Sequence, residues 1–178
     1  RLGQHVRRER ADFLLLLGAN PLVSNGSMMT APNFPGRLRR LRHRGGKVVV
    51  IDPRRTKTAE AADEHHFIRP GTDAFLLFAI VNTLFEEGLA KPSRIAEYTS
   101  GIEEVRRLAK AFTPERIASR CGIDAQTIRR IAREIASAPS ATVYARIGTC
   151  TQEFGTITNW LPDVIHVITG NLDRPGGA

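Results

Sequence analysis

Two short stretches constrain the fold more than anything else in this chain. "DFLLLL" (12–17) and "KVVVI" (47–51) are continuous apolar runs of strand length with polar or glycine-rich flanks. A strand with one wet face alternates polar and apolar residues. A run without that alternation has to be buried on both faces, which a parallel sheet achieves by carrying helices on both sides. "HFIR" (66–69) and "ATVYARI" (141–147), the latter rich in β-branched and aromatic residues, read as third and fourth strands.

Helical patterns lie between these runs. One is expected over 33–44, ended by Gly45-Gly46, and another over 73–87, with Asp73 as N-cap or first-turn acid and Gly88 as the stop. Weaker helices follow at 92–98 and 101–111. "DAQTIRRIAREIASA" (124–138) is amphipathic, with Ile128, Ile131, Ala132 and Ile135 on one face, and a last helix spans about 156–169. Strands alternating with helices imply βαβ units with right-handed crossovers. The fold expected is α/β: a Rossmann-like, three-layer domain with a mainly parallel sheet and inserted helices. The domain proper is placed at 1–155, with 156–178 a helix and tail leading into a further domain.

The chain's 178 residues suffice for one domain with a substantial core. The longest apolar run, "FLLLLGA", is too short to span a bilayer, and "RLGQHVRRERAD" lacks the apolar segment of a signal peptide. Beginning at Arg1 and closing on "NLDRPGGA", the sequence reads as an internal piece of a longer polypeptide. Cys121 and Cys150 lie far apart without a CxxC pairing, so a reducing, cytoplasmic setting is the default, with the periplasm open for the parent. The formal charge of +8 suits an anionic partner. Much of it sits in Arg1–Arg10 and in "GRLRRLRHRGGK" (36–47), where solvated helix ends and an anion-binding surface are both open readings.

In open parallel sheets ligands bind beyond the carboxyl ends of the strands. The segments that follow the four strands are "GANPLVSNG" (18–26), "DPRRT" (52–56), "PGTD" (70–73) and "GTCTQEFG" (148–155). All are made of small or polar residues that let backbone N–H groups approach a ligand. Each has a plain structural reading as well. Gly18 and Asn20-Pro21 suit an ordinary turn, Asp52 an N-cap or Asx-turn, Asp73 a helix cap, and Arg54-Arg55 a solvated surface. The GxGxxG fingerprint is absent, and Asp52 lies 34 residues after Gly18, beyond the roughly 20 of that fingerprint. His65 and His66, adjacent on a strand, point to opposite sides and cannot share a metal. Cys150 has no nearby histidine to activate it and reads as a small buried residue, and Trp160 as packed against the sheet.

Taken in order, "ADFLLLLGANPLVSNG", "GGKVVVIDPRRTKTAEAAD", "IRPGTDAFLL" and "TGNLDRPGG" resemble the molybdopterin oxidoreductases of the dimethyl sulfoxide reductase and formate dehydrogenase superfamily, over about Ala11 to Ala178. The resemblance implies a domain from a large catalytic subunit that carries molybdenum or tungsten on two molybdopterin guanine dinucleotides. Such subunits often hold a 4Fe-4S cluster upstream and pass electrons to iron–sulfur or other electron-transfer subunits. Carried over by position, Gly18, Ala19, Asn20, Pro21, Ser24 and Asn25 would line the phosphate and pterin side. Asp52, Pro53 and Arg54 would sit at the nucleoside end, Gly71, Thr72 and Asp73 at the guanine, and Gly148 near the pterin. A glutamine common among relatives falls here on Thr151, with Gln152 one position later. The arginine that formate dehydrogenases carry near Trp160 is missing, which speaks against formate. The family's cluster cysteines and metal ligand would lie upstream, so the chain alone is expected to have no turnover. Two other readings are the central domain of a thiamine-diphosphate enzyme, opposed by "PGTD" and "TGNLDRPGG", and a basic nucleic-acid-binding module, opposed by an aromatic content of only 6%.

Overall fold

The computed structural model describes residues 10–25 and 31–178. Most of the Arg1–Arg10 charge cluster, and Gly26 of the first rim segment, lie outside the described residues. In chain order the elements are β1 (Phe13–Leu17), α1 (Pro21–Ser24), α2 (Phe34–His43), β2 (Lys47–Ile51), α3 (Lys57–Ala61), β3 (Glu64–His66) and α4 (Asp73–Glu86). A 3-10 turn (Arg94–Tyr98) follows, then α5 (Ile102–Ala109), α6 (Pro114–Cys121), α7 (Ala125–Ser137), β4 (Ala141–Ala145), α8 (Ile147–Cys150) and α9 (Gly155–Ile168).

All strand pairs are parallel, and the order across the sheet is β3-β2-β1-β4. The double burial demanded by the apolar runs is met by alternation across the sheet. Leu15, Leu17, Val49 and Ile51 join the larger core with α4, α6, α7 and α9. Leu14, Leu16, Val48 and Val50 face the smaller one, against Leu38 and Leu41 of α2 and Ala59 of α3. The three-layer α/β expectation is thereby met. Ile128, Ile131, Ala132 and Ile135 of α7 are all buried, as their spacing requires, and Asp124 caps that helix by accepting from the Thr127 N–H at 2.8 Å.

The open edge of β4 is closed by side chains that follow it in the chain. The Ala141 N–H donates to Asn171 Oδ1 at 2.9 Å, and the Val143 N–H donates to Nε2 of the buried His166 at 2.8 Å. A strand edge whose N–H groups are taken in this way offers no template for a second chain. Leu161, Ile165 and Ile168 of α9 lie in the same core as the sheet.

Several expectations are corrected. The third strand is Glu64–His66, not 66–69. Its partner β2 ends at Ile51 opposite His66, and Pro53 has no N–H to continue the ladder, so Phe67 emerges 58% exposed. The fourth strand stops at Ala145, because the chain turns into α8 where the Gly148 N–H donates to the Gly18 carbonyl. The helix at 92–98 is a 3-10 turn. A helix at 114–121 was not anticipated, although Thr113 as cap, Pro114 at the first position and Gly122 after the end spell its limits. Trp160 does not pack on the sheet: it is 46% exposed and borders a surface groove beside Val164 and Ile168. Cys150 is only half-buried.

Candidate functional site

The strand order locates the site before any side chain is considered. From β1 the chain winds to β2 and β3 on one side, and it returns to β4 on the other. The crevice beyond the carboxyl ends of β1 and β4 is therefore the switch point at which such sheets leave room for a ligand. Two glycines form its floor. Gly18, at φ +53°, approaches Gly148 so closely that a Cβ on Gly18 would lie 2.8 Å from the Gly148 Cα. A side chain at either position would collide with backbone, and the left-handed φ of Gly18 disfavours one in any case.

A cleft of about 340 Å³ opens above this contact, more than twice the volume of the groove beside α9. It falls in the range of roughly 300–1,000 Å³ typical of small-molecule sites. Asp52 enters from the end of β2 and is 9% exposed. Its Oδ1 accepts from the Arg54 N–H at 2.9 Å, an Asx-turn that fixes the "DPR" corner, and its carbonyl meets His65 Nε2 at 3.0 Å. The "RPGT" corner after β3 closes with the Thr72 N–H donating to the Arg69 carbonyl at 3.3 Å, and Gly71 takes the φ of +81° that such a turn with proline at its second position demands. Asp73 follows in the first turn of α4 rather than as its cap, which is Thr72. Asn20 is held from behind: Thr58 Oγ1 donates to its Oδ1 at 2.8 Å, leaving the amide nitrogen as its remaining hydrogen-bonding group.

Electrostatically the cleft is unusual for its buried acid. Asp73 is 5% exposed and accepts from Gln152 Nε2 at 3.0 Å. Burial pushes its carboxyl up, the Gln152 amide opposes this, and the nearby charge of Asp52 adds to the rise; the net shift is upward. Gln152 Oε1, by contrast, is buried with no hydrogen-bond partner. An orphaned buried acceptor beside a carboxylate is a costly arrangement that a ligand with two or more donors would relieve.

Of the residues singled out from sequence, the fold brings Gly18, Asn20, Asp52, Pro53 and Arg54 to this wall, facing Gly71, Asp73, Gly148, Thr151 and Gln152. Ala19, Pro21, Ser24, Asn25 and Thr72 lie off it. Pro21 is buried at the start of α1, the Ser24 hydroxyl donates to the Asn20 carbonyl, and the Thr72 hydroxyl donates to the Arg69 carbonyl. Thr56 and Pro70 also line the cleft; both belong to rim segments read from the sequence, though neither was singled out there, and Ile147 was missed altogether. Thr56 carried a signal, since it caps α3 by accepting from the Ala59 N–H. Ile147 carried none, because it looked like the end of a strand. Among the described residues there is no group of three or more potential metal ligands, and no helix long and apolar enough to cross a membrane.

Fold and site thus define a parallel α/β domain with a ligand-sized polar cleft at its switch point. Residues 4–175 match the family described as molybdopterin oxidoreductase, and the chain belongs to that family. It is 32% identical over 167 residues to the F420-dependent formate dehydrogenase 2 subunit alpha of Methanococcus maripaludis, covering 94% of this chain and 24% of that protein. It is 36% identical over 136 residues to the thiosulfate reductase molybdopterin-containing subunit of Salmonella typhimurium, covering 75% and 18%. Among solved structures, acetylene hydratase from Pelobacter acetylenicus superposes with a TM-score of 0.80 at 26% identity, over 98% of this chain and 25% of that one. The chain therefore spans about a quarter of the length of the formate dehydrogenase subunit and of acetylene hydratase.

Proposed function

We propose that this chain is the domain of a molybdenum or tungsten oxidoreductase subunit that grips one molybdopterin guanine dinucleotide. The observation that carries the reading is the pairing of a buried carboxylate, Asp73, with the orphaned acceptor Gln152 Oε1 on one wall of the cleft. Guanine offers an N1–H and an exocyclic amine on one edge, donors that suit two adjacent acceptors, and a carboxylate there makes the contact charge-assisted. Adenine presents an acceptor at N1 and would leave an acceptor unpaired. On the opposite side the Arg54 guanidinium and the Asn20 amide are donors for the diphosphate, and the Gly18–Gly148 floor lets the pterin approach backbone. When bound, the metal centre supplies two-electron redox on a small substrate; this chain's residues bind and orient the cofactor and set the charge around it.

On this reading residues 1–155 hold the nucleotide, and α9 with the tail to Ala178 leads toward the neighbouring domain of the parent. A 4Fe-4S cluster and the metal-ligating side chain belong upstream, and electrons pass to partner subunits. The reading is supported by the relatives, whose names include formate dehydrogenase and thiosulfate reductase. Titrating GDP and ADP against the protein tests it. GDP is expected to bind at least about tenfold more tightly, and Asp73→Ala to remove that preference. Equal binding of both nucleotides would sink the guanine assignment. A full-length parent that releases neither pterin nor molybdenum or tungsten would sink the cofactor assignment as a whole.

A further inference from the structure

One hydroxyl behind the cleft links two of its corners. Thr58, at the second position of α3, is wholly buried and lies behind the cleft wall rather than on it. A buried hydroxyl is costly unless its oxygen and its proton are both used. Both bonds of Thr58 reach the corner after β1, 36 and 38 residues away. Its Oγ1 accepts from the Leu22 N–H at 3.2 Å and donates to Asn20 Oδ1 at 2.8 Å. The Leu22 bond alone would tie α3 to α1. The Asn20 bond does something further, because a side-chain amide carries an acceptor and donors on one end and can present either. With Oδ1 turned to Thr58, Nδ2 is what Asn20 offers to the cleft it lines. The reverse orientation would take away the acceptor of the Thr58 proton and aim a carbonyl oxygen at the ligand. The Asn20 backbone is fixed as well, its carbonyl accepting from the N–H groups of Val23 and Ser24 at 3.0 and 3.1 Å.

We propose that Thr58 is a positioning residue for the ligand's diphosphate. By donating to Oδ1 it commits the Asn20 amide to act as a donor, so that an acceptor oxygen of phosphate binds there. The proposal rests on the reading of the cleft as a nucleotide site and adds to it a residue that never touches the ligand. An amide held in this way needs no reorientation when the ligand arrives. Thr56, two residues earlier, lines the cleft and caps the same helix, so the first turn of α3 serves the corners after β1 and β2 together. A purely structural tie between α1 and α3 would affect every ligand of the cleft alike. A tie that orients Asn20 affects only ligands that carry phosphate.

The test uses the full-length parent, produced in a host that cannot make molybdopterin so that the cleft is free, with GDP, guanosine and ADP titrated by calorimetry. Thr58→Val keeps the shape and removes the hydroxyl. It is expected to weaken GDP at least about fivefold while leaving guanosine within about twofold. Thr58→Ser is expected to restore GDP to within about twofold, and Thr58→Ala gives the same comparison should the valine variant not fold. Asn20→Ala is expected to lose at least as much as Thr58→Val, and the double variant no more than Asn20→Ala alone, because both remove one contact. A fall shared equally by GDP and guanosine, a loss that serine does not recover, additive losses in the double variant, GDP binding indifferent to Thr58→Val, or a parent that binds no GDP would each overturn the proposal. ADP separates the two ideas. A parent that binds ADP as tightly as GDP defeats the guanine reading, and the Thr58 comparison is then read on ADP and adenosine. A parent that prefers GDP yet is indifferent to Thr58→Val defeats the positioning role alone.

Discussion

Glu64, toward the amino end of the sheet and partly buried, and Asp73, at its carboxyl end and almost wholly buried, are two acids whose surroundings push them in opposite directions. Burial works against the Glu64 charge. It is outweighed by hydrogen bonds from Arg130, Lys47 and His66, and the carboxyl is held down at about 2. Lys47 and Arg130 also reach Glu134, at 2.6 and 3.0 Å, so a charge network ties β2 and β3 to α7 at this end of the domain, with Glu134 Oε2 left without a partner. Asp73 has a glutamine in place of a cation, and its carboxyl is pushed up. Charges satisfied internally stabilise a fold, whereas charges left wanting a partner mark where something else binds. The same contrast recurs in the glycines, since the Gly18–Gly148 floor spends conformational freedom on a close approach that no structural core requires.

The largest expected effect breaks the floor. Gly18→Val places a branched side chain at a left-handed φ against the Gly148 backbone, and it is expected to cost about 3–5 kcal/mol of unfolding free energy, read by urea denaturation. Next comes Asp73→Asn, which separates binding from stability. It is expected to weaken guanine nucleotide binding by about 1.5–3 kcal/mol in calorimetry while leaving the thermal midpoint unchanged or slightly raised, because the ionised acid is itself disfavoured by burial. The same raised carboxyl predicts that GDP affinity declines on acidification at a higher pH than an ordinary aspartate would give, as Asp73 takes up a proton.

Glu64→Gln is expected to cost less, about 1–2 kcal/mol at neutral pH once partial exposure is allowed for, with nucleotide affinity unchanged. The sign follows from a folded pKa below the unfolded one. The Glu64 contribution is whole above about pH 4.5 and is lost as pH falls through about 2. Denaturation curves for Glu64→Gln and the parent sequence should therefore converge over that window. A difference that persisted at the acid limit would show the network acting through packing instead. The smallest effect is Trp160→Gln, within about 0.5 kcal/mol in the 178-residue chain by urea titration, because the ring rests on the surface of α9.

Much of this architecture was legible in local sequence, for reasons that can be named. Unbroken apolar runs at 13–17 and 48–51 require burial on both faces, and an amphipathic pattern such as Ile128–Ile131–Ile135 requires a helix laid on a core. Small and polar residues after every strand announce a rim, because strand ends in parallel sheets are where the chain turns near a ligand. Local pattern failed where the neighbour decides. The third strand is short because Pro53, just past the end of β2, stops the ladder; Trp160 is exposed because α9 turns Leu161 and Ile165 toward the sheet instead.

What the sequence by itself determined, then, is the class of fold, the residues able to line a site, and through four ordered motifs the family. Those are properties of short stretches, where side-chain period and turn chemistry act over a few residues. Only the tertiary structure decided which rim residues share one cleft, that Gly18 touches Gly148, and that Gln152 meets Asp73. Each of those contacts joins segments far apart in the chain. They form because the strand order β3-β2-β1-β4 brings the ends of β1 and β4 side by side, a pairing that no local preference encodes.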